Sequence, residues 1–155
     1  MNITQARALL AIAVVLVLGA VNWSIFAKER IKTQGERIFL ALAPVDPRSL
    51  MQGDYMALRF ELANNISAPA EGSAPLFVDE RGIATLNRSP KPDDLRIRYR
   101  VRNGQVWLGT NAYFFEEGSA ERYQRARYGE FRIDRDSGEA VLVGLADENL
   151  KVYGR

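Results

Sequence analysis

The sequence predicts a β-rich α+β chain: a single N-terminal transmembrane helix followed by one antiparallel β domain with a short helix. Three observations carry that prediction. Residues 8–27 (ALLAIAVVLVLGAVNWSIFA) contain no charge. Residues 55–62 (YMALRFEL) and 95–102 (LRIRYRVR) alternate with the period of a strand. In the rest of the chain only the segment 119–126, with Ser119 as cap, reads as a helix.

At a rise of 1.5 Å per residue the uncharged run spans about 30 Å, the thickness of a bilayer hydrocarbon core. Trp23 and Phe26 stand at its far end, where aromatic rings favour the interface. Cleavage after Ala20 or Ala27 would place Leu18 or Ile25 at the minus-three position, so the segment is expected to stay as an anchor. The expected organisation is a cytoplasmic stub (1–7), the anchor (8–27), a charged linker (28–36) that extends the helix to Gly35, and a β-rich soluble domain (37–155). Lys28, Arg30 and Lys32 follow the span while only Arg7 and the amino terminus precede it. Counted literally, that charge bias retains the domain in the cytoplasm. A long domain, however, translocates largely regardless of charge, and the expected location is the periplasmic face of a bacterial cytoplasmic membrane.

Residues 38–43 (IFLALA) are apolar on both faces, as in a buried strand. Residues 63–74 are small and polar and read as a loop. Residues 76–80 and 83–86 flank Arg81-Gly82 as a hairpin. Asn103-Gly104 closes a second hairpin between 95–102 and 105–111, with the register Arg102 to Gln105, Val101 to Val106, Arg100 to Trp107 and Tyr99 to Leu108. Residues 112–115 extend the apolar run. A last hairpin joins 130–134 to 139–145 around Asp136-Ser137-Gly138, giving about eight strands in all.

The chain has 155 residues, enough for one ordinary domain. Its mean hydropathy of −0.19 excludes a multi-pass membrane protein. There is no Cys and no His, which removes thiol nucleophiles, disulfides, Cys- or His-ligated metals and every His-based general base. No cofactor and no metal are expected. The loop Asp134-Arg135-Asp136 lacks the third acidic ligand and the closing Glu of a calcium loop. A net charge of +2 gives no basis for a nucleic-acid partner.

The segment 44–60 reads PVDPRSLMQGDYMALRF. Gly53 suits a turn with positive φ, Asp54 accepts backbone N–H bonds there, and Tyr55 enters the strand. This is either a structural corner or a partner-binding surface. The string Gly53, Asp54, Tyr55, Leu58, Phe60 resembles the motif of the GDYXXLXY family, with Phe60 where the name has Tyr. The segments around Asp46 and Arg48 and at 114–132 also look like family segments, so the resemblance covers most of the soluble part. It implies a membrane-anchored bacterial envelope protein found beside multi-pass membrane proteins, and no catalytic residues. The stretch Ser49-Leu50-Met51-Gln52-Gly53-Asp54 is more weakly similar to the nucleophile region of signal peptidases. That chemistry needs a neutral, desolvated Lys. Lys28 and Lys32 flank the membrane, Lys91 sits beside Asp93 and Asp94, and Lys151 is near the terminus.

Arg96, Arg98, Arg100 and Arg102 line one face of a strand. They form a candidate site for an anionic lipid or glycan, or a solvated face with acids across the ladder and Arg100 over Trp107. Glu116 and Glu117 follow an aromatic run and are the best placed of the acid pairs. The aromatic residues between Tyr113 and Phe131 form either core or an exposed docking surface. The expected function is an accessory module that binds another envelope or multi-pass membrane protein through Asp46, Arg48, Gly53, Asp54, Tyr55, Glu116 and Glu117. The alternatives are a carboxylate hydrolase acting on envelope material and an anionic-ligand binder using Arg96, Arg98 and Arg100.

Overall fold

A computed structural model describes residues 3–43, 51–52, 55–67 and 71–153. Helix α1 (Ile3–Gln34) has 32 residues, about 48 Å of helix. It is long and apolar enough to cross a membrane and to project several turns beyond. Its large apolar side chains, among them Leu10, Val15, Leu16, Trp23 and Phe26, are exposed. A helix that packs one stripe on a core would bury about a third of them. The last turns behave differently: Ile31 is buried, and Lys28 Nζ pairs with Glu139 Oε1 at 2.7 Å. Gly35 ends the helix, its N–H donating to Ile31 O at 2.8 Å. A Cβ there would collide with that carbonyl and stand 3.0 Å from Ile133 N, so only glycine lets the helix end approach the sheet this closely.

Eleven strands follow among the described residues: β1 (Glu36–Ala41), β2 (Met51–Gln52), β3 (Tyr55–Ala57), β4 (Glu71–Val78), β5 (Ala84–Leu86), β6 (Arg96–Arg102), β7 (Gln105–Trp107), β8 (Ala112–Phe114), β9 (Tyr128–Ile133), β10 (Ala140–Ala146) and β11 (Val152–Tyr153). Two one-turn helices join them, α2 (Glu61–Asn64) and α3 (Ala120–Tyr123). The strands form three antiparallel sheets, ordered β1-β9-β10-β11, β2-β3-β8 and β5-β4-β6-β7. Single bridges tie β1 to the rest, Leu42 to Phe60 and Phe39 to Ile83. One core lies between the sheets, with Ile38, Leu40, Phe60, Ile97, Leu108, Phe131, Ile133 and Leu145 removed from solvent.

The 38–43 segment is a buried strand as expected: Ile38, Phe39 and Leu40 are buried on both faces. The three hairpins form at the expected turns. Asn103 (φ 50°) and Gly104 (φ 73°) are both left-handed, the geometry a two-residue turn requires.

Five expectations are corrected. The ladder from β6 to β7 ends at Arg100 with Trp107, because Leu108 leaves it to enter the core. The alternation over 55–62 does bury Met56, Leu58, Phe60 and Leu62, but the continuous strand is only Tyr55–Ala57 and Leu62 sits in α2. Beyond Ala57 the chain changes partner, with Leu58 N–H donating to Asn111 O and Arg59 O accepting from Ala43 N–H, so the burial alternation outlasts the strand. The 63–74 loop is shorter than expected, since β4 begins at Glu71. The helix expected over 119–126 is the single turn of α3, which ends at Tyr123; the apolar run at 112–114 is β8, paired with β3. Finally, Ser119 does not cap α3: its Oγ donates to Glu116 O at 2.6 Å in the turn through Gly118.

Candidate functional site

Two surfaces gather the residues that the sequence singles out. The first is the β3–β8 pair, which sets Tyr55 opposite Phe114 and Met56 opposite Tyr113. The Tyr55 and Phe114 rings lie 5.8 Å apart, within the range of a favourable aromatic pair. Phe114 is 74% exposed. The next residue on each side of it turns inward. Tyr113 and Phe115 both pack on the buried Tyr123, at ring separations of 5.3 and 5.2 Å. Burial, and then the neighbouring Tyr123 phenol to which it is hydrogen-bonded, push the Tyr113 hydroxyl up to about 12. The aromatic run thus divides by strand alternation into core and surface. Glu116 and Glu117 follow on the exposed side. Asp46, Arg48, Gly53 and Asp54, as well as Ser49, lie outside the described residues.

The second surface is the β6 face. Ile97 and Tyr99 are buried on one side, while Arg96, Arg98, Arg100 and Arg102 are exposed on the other. Across the ladder Arg96 meets Pro75, Arg98 meets Ser73 and Arg100 meets Glu71. Arg96 is used locally, donating from Nε to Ser73 Oγ at 3.0 Å and from Nη2 to Ser73 O at 3.0 Å. The ring of Trp107 carries Arg102 at 5.6 Å, rather than Arg100 directly opposite it. Arg102 is the diagonal neighbour on the same face, within reach of a large side chain. Arg98, Arg100 and Arg102 then line a cleft of about 210 Å³ together with Trp107, Glu139 and Lys28 of α1.

The turn between β9 and β10 holds this cleft in place. Asp134 Oδ1 accepts from the Ser137 hydroxyl at 2.7 Å and from its N–H at 2.8 Å. These bonds hold its carboxyl below the usual aspartate range. Gly138 (φ 69°) passes its carbonyl to Arg98 N at 2.7 Å. A Cβ at Gly138 would stand 2.9 Å from Arg96 O, so the turn carries a glycine where β6 crosses it.

One polar feature gave no signal in the sequence. Glu130 is fully buried, and Arg37 Nε reaches its Oε1 at 2.7 Å. Arg37 also lies over the Phe39 ring at 4.8 Å. The two residues stand on paired strands β1 and β9, far apart along the chain. Only the sheet brings them together.

A family model described as GDYXXLXY protein matches residues 17–145. The chain belongs to the GDYXXLXY family. The matched region runs from within the apolar part of α1 to Leu145 in β10. No curated protein and no solved structure matches the chain. In the GDYXXLXY string, Tyr55 is half-buried while Leu58 and Phe60 are 2% and 1% exposed. Phe60 packs edge-on against Phe131 at 5.2 Å, and a Cβ at Gly129 would stand 2.9 Å from its ring. A buried Tyr hydroxyl needs a hydrogen-bond partner; the Phe in this chain keeps the packing without that requirement. The string therefore has a core half, Leu58 and Phe60, and a half that reaches the surface at Tyr55.

Proposed function

We propose that the chain is a single-pass accessory module of the bacterial cell envelope, with α1 crossing the cytoplasmic membrane over 8–27 and the β domain on its periplasmic face. The domain docks another, multi-pass membrane protein through the surface around Tyr55 and Phe114, with Glu116 and Glu117 at its rim, and the motif residues Asp46, Arg48, Gly53 and Asp54 are assigned to the same contact. The observation that carries this reading is the exposed Phe114 ring set against the tyrosine of the family motif. A phenylalanine left largely in water adds little to a monomer's stability beyond its contact with Tyr55, whereas aromatic anchors dominate protein interfaces.

The test is capture of the full chain in mild detergent, with covalent cross-linking, beside the Tyr55→Ala and Phe114→Ala variants. A stoichiometric multi-pass protein held by the native chain and lost from both variants supports the reading. Equal retention by native chain and variants removes the surface assignment. The absence of cysteine makes the topology directly testable. A single Thr85→Cys substitution at an exposed site reacts with a membrane-impermeant maleimide in spheroplasts if the domain is periplasmic, and stays unlabelled until lysis if it is cytoplasmic.

A further inference from the structure

We propose that the cleft between the end of α1 and the β6 arginine face holds the phosphate headgroup of an anionic membrane lipid. Three features support it. The first is uncompensated charge. Among the described residues, Arg98, Arg100 and Arg102 have no carboxylate within ion-pair distance; the one acid lining the cleft, Glu139, is engaged by Lys28. Three guanidinium groups therefore face the same small volume with an excess of positive charge, Glu71 lying across the ladder from Arg100 without an ion pair to it, and guanidinium binds phosphate oxygens through paired N–H bonds. Arg98 and Arg100 are two residues apart on one strand face, about 7 Å, which two long side chains can close on a single phosphate.

The second feature is position. Lys28 is the first charged residue after the uncharged run and belongs both to α1 and to the cleft wall. The cleft thus lies at the level where the helix leaves the hydrocarbon, within two turns of the exposed Trp23 and Phe26 along α1, residue types that suit the headgroup region. A lipid in that leaflet reaches the cleft without leaving the bilayer. The third is size. At about 210 Å³ the cleft is smaller than the roughly 300–1,000 Å³ of sites that enclose drug-sized ligands. It suits a headgroup whose tails remain in the membrane. Trp107, carrying Arg102 on its ring, supplies an apolar wall.

The experiment uses the full chain in mild non-ionic detergent, titrated with phosphatidylglycerol or phosphatidylcholine, with bound lipids counted by native mass spectrometry. One phosphatidylglycerol is expected to be retained in preference to phosphatidylcholine. The triple variant R98Q/R100Q/R102Q is expected to weaken that binding on the order of a hundredfold, from the contribution of each basic residue near an anionic surface. The charge-conserving R98K/R100K/R102K variant is expected to keep only part of it, because lysine lacks the paired N–H bonds, and R59Q/R88Q, which changes exposed arginines elsewhere, all of it. All three substituted β6 positions are exposed, so an unchanged thermal transition shows that the glutamine variant is folded. Equal retention of the two lipids, or undiminished retention by the folded glutamine variant, overturns the proposal. Saturable binding of inorganic phosphate without any lipid preference overturns the lipid assignment in favour of a soluble anion.

Discussion

The aromatic face at Tyr55 and Phe114 and the basic face at Arg98, Arg100 and Arg102 are both open to solvent, yet they arise in opposite ways. The basic face comes from one strand, with every second residue pointing the same way. The aromatic face is assembled from β3 and β8, which lie in different halves of the chain. The first holds unbalanced charge beside the end of α1, so its interactions weaken with salt. The second offers ring surface, whose burial depends little on salt. The two proposed contacts thus differ in what drives them, charge at one face and ring burial at the other.

The largest expected effect is one that abolishes both faces together. Phe60→Ala empties a fully buried ring site against Phe131 and is expected to cost about 3–5 kcal/mol. Denaturant unfolding of the full chain in detergent measures it. Both binding activities should fall with it, in contrast to every surface variant. Arg37→Met comes next. It removes the cation at 2.7 Å from the buried Glu130, at an expected cost of about 3 kcal/mol. The double replacement R37M/E130L should recover most of that loss, because it also removes the buried carboxylate that Arg37→Met leaves without its cation. A double variant no more stable than Arg37→Met would show that Glu130 serves something other than this pair.

Phe114→Ala then separates the two faces. It should leave stability within about 0.5 kcal/mol while weakening protein capture by about 2 kcal/mol. That capture should be insensitive to added salt, whereas phosphatidylglycerol retention should fall with it. Parallel salt responses would mean that the two faces do not act separately. The smallest effect is at Asp134, whose carboxyl is held below its ordinary range by Ser137. Its folded pKa lies below its unfolded value, so its contribution is present above about pH 4 and is lost as the pH falls through the folded value. Asp134→Asn should lower the thermal transition near neutral pH and leave it unchanged once the native aspartate is protonated.

The family string shows how far single residues could be read. Its alternation located Leu58 and Phe60 on the buried side, since period-two burial survives even where the chain leaves the ladder for α2. The division of Tyr113, Phe114 and Phe115 between core and surface was not legible. It depends on β8 pairing with β3 instead of continuing from β7. Lys28 was legible only as a charge flanking the span. Its place in the cleft wall follows from the docking of α1 beside β10, through Ile31 and Glu139.

By itself the sequence determined the local features: the apolar helix and its glycine stop, the Asn-Gly hairpin, the arginine face and the two-sided burial of β1. Each rests on residues within one or two turns or one strand, where backbone geometry alone orients side chains. Only the tertiary structure decided the rest: the Arg37–Glu130 pair, the Tyr55–Phe114 face and the cleft that joins α1 to β6. These contacts join residues distant along the chain, and their free energy appears only once the sheets have closed on a common core.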